Sequence, residues 1–272
     1  MEILIRVYVA LLGLSLGSFL GMAATRLPVG ESLVKPRSHC RNCGRQLAWY
    51  ENVPAFSYLI LRGRCRSCDA KISSHYFILE VATAALALFA FSRLEPWPRF
   101  LIYLLLFIAP VLLLIVIDWR YLILPNAITV PGIAAGFLVH WLDGKYFSIG
   151  TMHASSLSLL LESGYGAAAG GLSLALLAYL YQSLRKRPGL GAGDVKFAAM
   201  LGAFFGWKAI FFIFFAASIL GIVVGGILIV FRRQTLATQL PFGSALGVVS
   251  LLFLFMGERM IQAYFHALRH LL

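Results

Sequence analysis

LLLFIAPVLLLIVID, residues 104–118, is an apolar run that closes on a single carboxylate, and the fold is read outward from it. A stretch this apolar satisfies its own backbone hydrogen bonds best as a helix surrounded by hydrocarbon. WRYLILPNAIT, residues 119–129, then brings back aromatic and polar side chains, so Asp118 stands where a span meets water. A charge in that place is costly and marks a functional site by default. GLGAGDVK, residues 189–196, repeats the arrangement: a glycine-rich turn delivers Asp194 to the mouth of the next apolar helix. Two acids at the ends of two spans point to a water-activating pair.

The composition agrees with the membrane reading. Of the 272 residues, 60% are hydrophobic and 12% charged, and the mean hydropathy is +0.85. Soluble globules carry about half and about a quarter, respectively. Barrel strands alternate polar and apolar residues, which these uninterrupted runs do not. The class expected is an all-α polytopic membrane protein with about eight transmembrane helices. The net charge of +12 is placed by topology: sixteen of the 23 Lys and Arg residues fall in segments assigned to one side. That is the positive-inside pattern, with anionic headgroups of the lipid bilayer as the partner and no nucleic acid.

In chain order, the spans are expected at about 3–24, 76–92, 99–117, 122–141, 164–184, 194–206, 207–231 and from 241 to about 263. The first reads as an uncleaved span, because its basic residues follow it. Gly13, Gly17 and Gly21 recur at four-residue spacing and stack as a small-residue packing seam. The fourth span is kinked or started late by Pro125 and Pro131. Residues 143–163 read as a polar external loop. Both termini come out on the outer side, and Asp118 and Asp194 on the cytoplasmic side. Three parts are expected: the first helix at 1–25, a cytoplasmic four-cysteine segment at 26–75, and a seven-helix membrane domain at 76–272.

All four cysteines fall in the polar segment, as Cys40-Arg-Asn-Cys43 and Cys65-Arg-Ser-Cys68. Paired CxxC turns supply the four thiolates of a tetrahedral Zn²⁺, and a closed four-thiolate site is structural, with no position open for catalysis. The alternative is two disulfides or a redox dithiol, and the disulfides require the segment to lie on the oxidising side. His39 and His75 read as bystanders. Glu80, inside the second apolar helix, is either a polar group of the bundle interior or part of a working site.

Two carboxylates in one site do not both ionise comfortably, so one holds a proton while the other acts as base. Such a pair activates water against a peptide carbonyl and protonates the leaving amine. Gly191 and Gly193 let the chain turn sharply beside a substrate strand. Lys196 either biases the pair or meets headgroups. No GxSxG occurs to serve a serine nucleophile. GLGAG has no strand before it, which removes the dinucleotide-loop reading. A proton-coupled transporter is the rival from another class, but it calls for acids at mid-membrane and related halves.

The ordered set of GSFLGMAATRLP, the two CxxC turns around WYENVPAFSYLILRGRCRSC, ISSHYFILE, IDWRYLILPNAIT, GAGDVK and PFG resembles the type IV prepilin peptidases. The resemblance covers nearly the whole chain. It implies an aspartic endopeptidase of the bacterial cytoplasmic membrane that cuts the basic leader from prepilins or type II secretion pseudopilins after a glycine. It further implies methylation of the new N-terminal residue, typically Phe, with S-adenosylmethionine as donor. On this resemblance the catalytic residues are Asp118 and Asp194, the metal ligands Cys40, Cys43, Cys65 and Cys68, and Glu80 a substrate or methyl-donor residue. The family reads GSFLN in its first span where this chain has Gly21. A peptidase without the methyl-transfer step is the alternative that this departure keeps open.

Overall fold

The computed structural model describes residues 1–146, 156–186, 191–232 and 241–271. Among them the chain is mostly helical, and extended pairing is confined to two isolated bridges. It divides into two compact units, Met1–Leu104 and Leu105–Leu272.

In the first unit α1 (Glu2–Arg26) and α3 (His75–Phe91) pack along the expected glycine seam. A Cβ on Gly13 would stand 2.6 Å from the Ala84 Cα, and one on Gly17 the same distance from the Glu80 Cα. At Gly21 it would stand 2.8 Å from the Tyr76 ring. The helices therefore touch backbone to backbone, which only hydrogen at these positions permits. Arg26 ends α1 buried, donating to the Ser32 carbonyl at 2.9 Å and the Pro36 carbonyl at 2.8 Å. That anchors the start of the cysteine-bearing segment, which also carries the short α2 (Phe56–Ile60). α4 (Trp97–Tyr103) closes the unit and runs through one π-helical turn, Leu104–Ile108, into α5 (Ala109–Tyr121). Pro110, with no N–H to give to the preceding turn, accounts for the widening.

The second unit continues with α6 (Asn126–Tyr146), α7 (Ser156–Arg185), α8 (Ala192–Arg232) and α9 (Phe242–Leu271). Leu122 takes the left-handed conformation that ends α5, and Pro125 precedes α6, so that helix starts at Asn126 and not at 122. α8 is interrupted at Gly206, whose φ of 78° and ψ of 172° break the helix where the sequence reading divides two spans. α7 begins at Ser156, eight residues before the expected 164, so part of the expected loop is helix. The reason is tertiary. The Ser163 hydroxyl, fully buried, donates to the Ala203 carbonyl at 2.8 Å, and Gly166 and Gly170 lie against the backbone of Gly202 and Ala198. The rest of that loop, 147–155, lies outside the described residues, as do Arg187, Gly189, Leu190 and Arg233.

Among the described residues, four helical stretches are long and apolar enough to cross a membrane: Glu2–Val29, Trp97–Tyr121, Leu157–Arg185 and Ala192–Leu228. His75–Phe91 and Phe242–Gly257 are shorter apolar helices. The protein is thus a helical membrane protein.

Candidate active site and metal centre

Asp118 ends the apolar face of α5, and the first turn of α9 closes over it. The Ser244 N–H donates to Asp118 Oδ2 at 2.6 Å, and the Ser244 hydroxyl lies 2.8 Å from the same oxygen. That hydroxyl is also 3.0 Å from the Ile115 carbonyl, so the Asp118 oxygen is the nearer of its two acceptors. Both residues are buried, so water is kept from these bonds. A Cβ on Gly243 would come within 3.1 Å of Asp118 Oδ2. Glycine at that position is what admits the carboxylate to the helix end.

Asp194 lies in the first turn of α8, where the positive end of the helix favours an acid. Its Oδ2 accepts the Gly191 N–H at 3.1 Å, and its own N–H returns to the Gly191 carbonyl at 3.1 Å. The loop thus folds back on its acid. Gly193 faces the turn that follows Asp118: a Cβ there would stand 2.9 Å from the Leu124 Cβ. Leu124 also meets Gly243, at 2.8 Å from the corresponding point. Gly193 and Gly243 therefore close on one leucine from two helix ends. The turns that carry the two acids thus meet at Leu124, within the second unit. Lys196 turns elsewhere, donating to Asn126 Oδ1 at 2.8 Å.

Ser244 is the residue that sequence reasoning missed. A serine after Pro-Phe-Gly at the start of an apolar run is a recognisable helix-start signal. Its acid partner lies 126 positions away, and no local pattern reveals that.

The four cysteine side chains of the first unit converge, with all ligand atoms within 4.8 Å of one another. Each CxxC turn is closed by the same pair of bonds. The Cys40 N–H donates to the Arg45 carbonyl and the Gly44 N–H to the Cys40 carbonyl, both at 2.9 Å. In the second turn, the Cys65 N–H donates to the Ala70 carbonyl at 2.9 Å and the Asp69 N–H to the Cys65 carbonyl at 3.0 Å. The Cys40 and Cys68 sulfurs are 3.8 Å apart, and a tetrahedron with Zn–S bonds near 2.3 Å has edges of about 3.8 Å. The donor set fits a structural zinc. The Cys43 and Asn42 N–H groups hold the Cys40 thiol below its ordinary value. The Ala70 N–H and the Asn42 side chain bring Cys68 down to about 6. His39 and His75 bond instead to the Arg37 carbonyl and the Ser73 hydroxyl.

Two carboxylates brace the same segment. Glu51 accepts the Ala48 N–H at 2.9 Å and Arg45 at 2.5 Å, and these hold its carboxyl below the usual range. Glu80, buried in α3, accepts the Ala55 N–H at 2.7 Å. Ala55 has a φ of +61°, a strained conformation for alanine that this bond helps to hold. Glu80 and Glu51 also line a cavity of about 640 Å³ with Arg26, Met22, Tyr58 and Tyr76.

Against known proteins, residues 11–94 match the model of the bacterial peptidase A24 N-terminal domain and residues 105–226 that of the type IV leader peptidase family. The chain is 32% identical to a prepilin leader peptidase/N-methyltransferase of Pseudomonas putida, over 91% of this chain and 89% of that one. The chain belongs to the type IV leader peptidase family. A further member, from Aeromonas hydrophila, is 31% identical over 94% of this chain and 92% of its own length. The Myxococcus xanthus member is 40% identical over 82% of this chain, and the match spans 62% of that protein. No solved structure matches. The two family models divide the chain close to the boundary between the two compact units.

Proposed function

We infer that this member of the leader peptidase family cuts the basic leader from prepilins or pseudopilins after a glycine, using Asp118 and Asp194, and then methylates the new N-terminal residue. The observation that carries the catalytic part is the convergence of the two acids on Leu124 through Gly193 and Gly243. One acid takes a proton from water as it attacks the peptide carbonyl and the other protonates the carbonyl oxygen; the proton taken from water then goes to the departing nitrogen. Gly191 and Gly193 shape the loop that presents Asp194. Lys196 ties that loop to the start of α6 through Asn126. Membership in the family leaves the proton-coupled transporter without support.

In this reading the chain sits in the bacterial inner membrane with eight spans. α8 counts as two, divided at Gly206, and the acids and cysteines face the cytoplasm. The support is the one-sided placement of Lys and Arg. Residues 1–25 anchor, 26–75 carry the zinc, and 76–272 form the helical peptidase. Cys40, Cys43, Cys65 and Cys68 would hold Zn²⁺, which supplies rigidity to a segment with little core of its own.

S-adenosylmethionine is the methyl donor of this reading, and the cavity beside Glu80 is where the first unit has room for a donor or a substrate end. One observation favours a peptidase without methyl transfer. At Gly21, where the family has asparagine, the space next to α1 is filled by the Tyr76 ring. The deciding experiment is mass spectrometry of a prepilin-like peptide incubated with the purified chain in lipid and S-adenosylmethionine. A cut after the leader glycine with one added methyl is the expected result. A cut without the methyl selects the second reading, and an intact peptide rejects both.

A further inference from the structure

Asp118 and Asp194 are held in different ways, and the difference assigns their roles. Two donors converge on Asp118 Oδ2, the N–H and hydroxyl of Ser244, at 2.6 and 2.8 Å. Both come from the first turn of α9, the 30-residue helix whose positive end faces the carboxylate. Asp118 is 5% exposed and Ser244 4%, so water does not compete for that oxygen. A proton on Oδ2 would have to compete with both donors. Among the described residues Asp194 accepts one longer bond, 3.1 Å, from Gly191 in its own loop, and it is half-buried.

We propose that Ser244 is a positioning residue that holds Asp118 as the charged base of the pair, leaving Asp194 to carry the proton. Bonds to the charged form of a carboxylate favour that form, and bonds that share one oxygen also fix the plane of the group. With Oδ2 engaged, Oδ1 is left for the attacking water. The water gives a proton to Asp118 Oδ1 as its oxygen bonds the scissile carbonyl carbon, and the Asp194 proton passes to the carbonyl oxygen. When the C–N bond breaks, the Asp118 proton goes to the leaving nitrogen, and a hydroxyl proton of the intermediate returns to Asp194. Every proton is accounted for, and both acids end as they began. Ser244 touches no reacting atom; it acts through Asp118.

This inference rests on the peptidase reading, and the test separates the two. The full chain in lipid is assayed on a prepilin peptide as wild type, Ser244→Ala and Ser244→Thr. Alanine removes the hydroxyl and keeps the N–H bond and the helix, so kcat falls about tenfold with KM unchanged. Threonine keeps the hydroxyl and retains kcat within about twofold of wild type. An alanine variant that cuts at the wild-type rate, or changes only in KM, overturns the role, as does a threonine variant that loses as much as alanine. If the alanine variant does not fold, Ser244→Cys, a weak donor of similar size, carries the same comparison. Failure of the wild type to cut any prepilin peptide overturns the peptidase reading itself.

Discussion

At Asp118 a buried carboxylate meets two donors from a helix 126 positions away, and at Asp194 a half-exposed one meets, among the described residues, a single loop amide. Asp118→Asn and Asp194→Asn keep shape and hydrogen-bonding capacity but remove the proton transfers. Each is expected to lower leader cleavage by about a hundred- to ten-thousandfold with melting unchanged, measured by peptide mass spectrometry beside a thermal scan. Glu51 tests electrostatics away from the membrane. The Ala48 amide and Arg45 hold its folded pKa below the unfolded value. Its contribution to stability is therefore complete above the unfolded value, about 4.3, and is lost as pH falls through the folded one. Wild type is expected to melt above Glu51→Gln at pH 7, and the gap to close on the acid side. A gap that does not narrow as the pH falls below the unfolded value counts against this account.

Among the elements, the α1–α3 seam was legible because glycines four apart form one helical face whatever lies opposite. Its partner was not legible, since α3 begins about fifty residues later and nothing in the spacing of α1 points to it. Gly17→Val would place side-chain carbon against the Glu80 Cα, where even a Cβ stands at 2.6 Å. That requires the helices to part, at about 1–3 kcal/mol, and a lower melting temperature is the readout. Because Glu80 also holds the Ala55 amide, the same substitution is expected to expose the α2 region to limited proteolysis. The starts of α6 and α7 show the limit of hydropathy at helix ends. Pro125 delays one, and the buried Ser163 bond to α8 extends the other into polar sequence.

For the whole molecule, the two units carry separate chemistry, the cysteines in Met1–Leu104 and the acids in Leu105–Leu272. Replacing Cys40 and Cys65 by serine together is expected to take bound zinc from about one per chain to near none, with the cysteine segment opening to protease. Elemental analysis of the purified chain reads the first and peptide mapping the second; full zinc in the double variant would exclude the four-thiolate site. The helical membrane class, the paired CxxC turns and the two acids at span ends were decided by sequence alone. Each is written in neighbouring residues: an apolar run, a three-residue step, a charge at a boundary. Tertiary structure alone decided that Leu124 joins the two acid loops, that Glu80 holds a strained alanine, and that Ser244 grips Asp118. Those contacts join positions far apart in the chain, and their energies come from burial and hydrogen-bond direction, which exist only once the helices have packed.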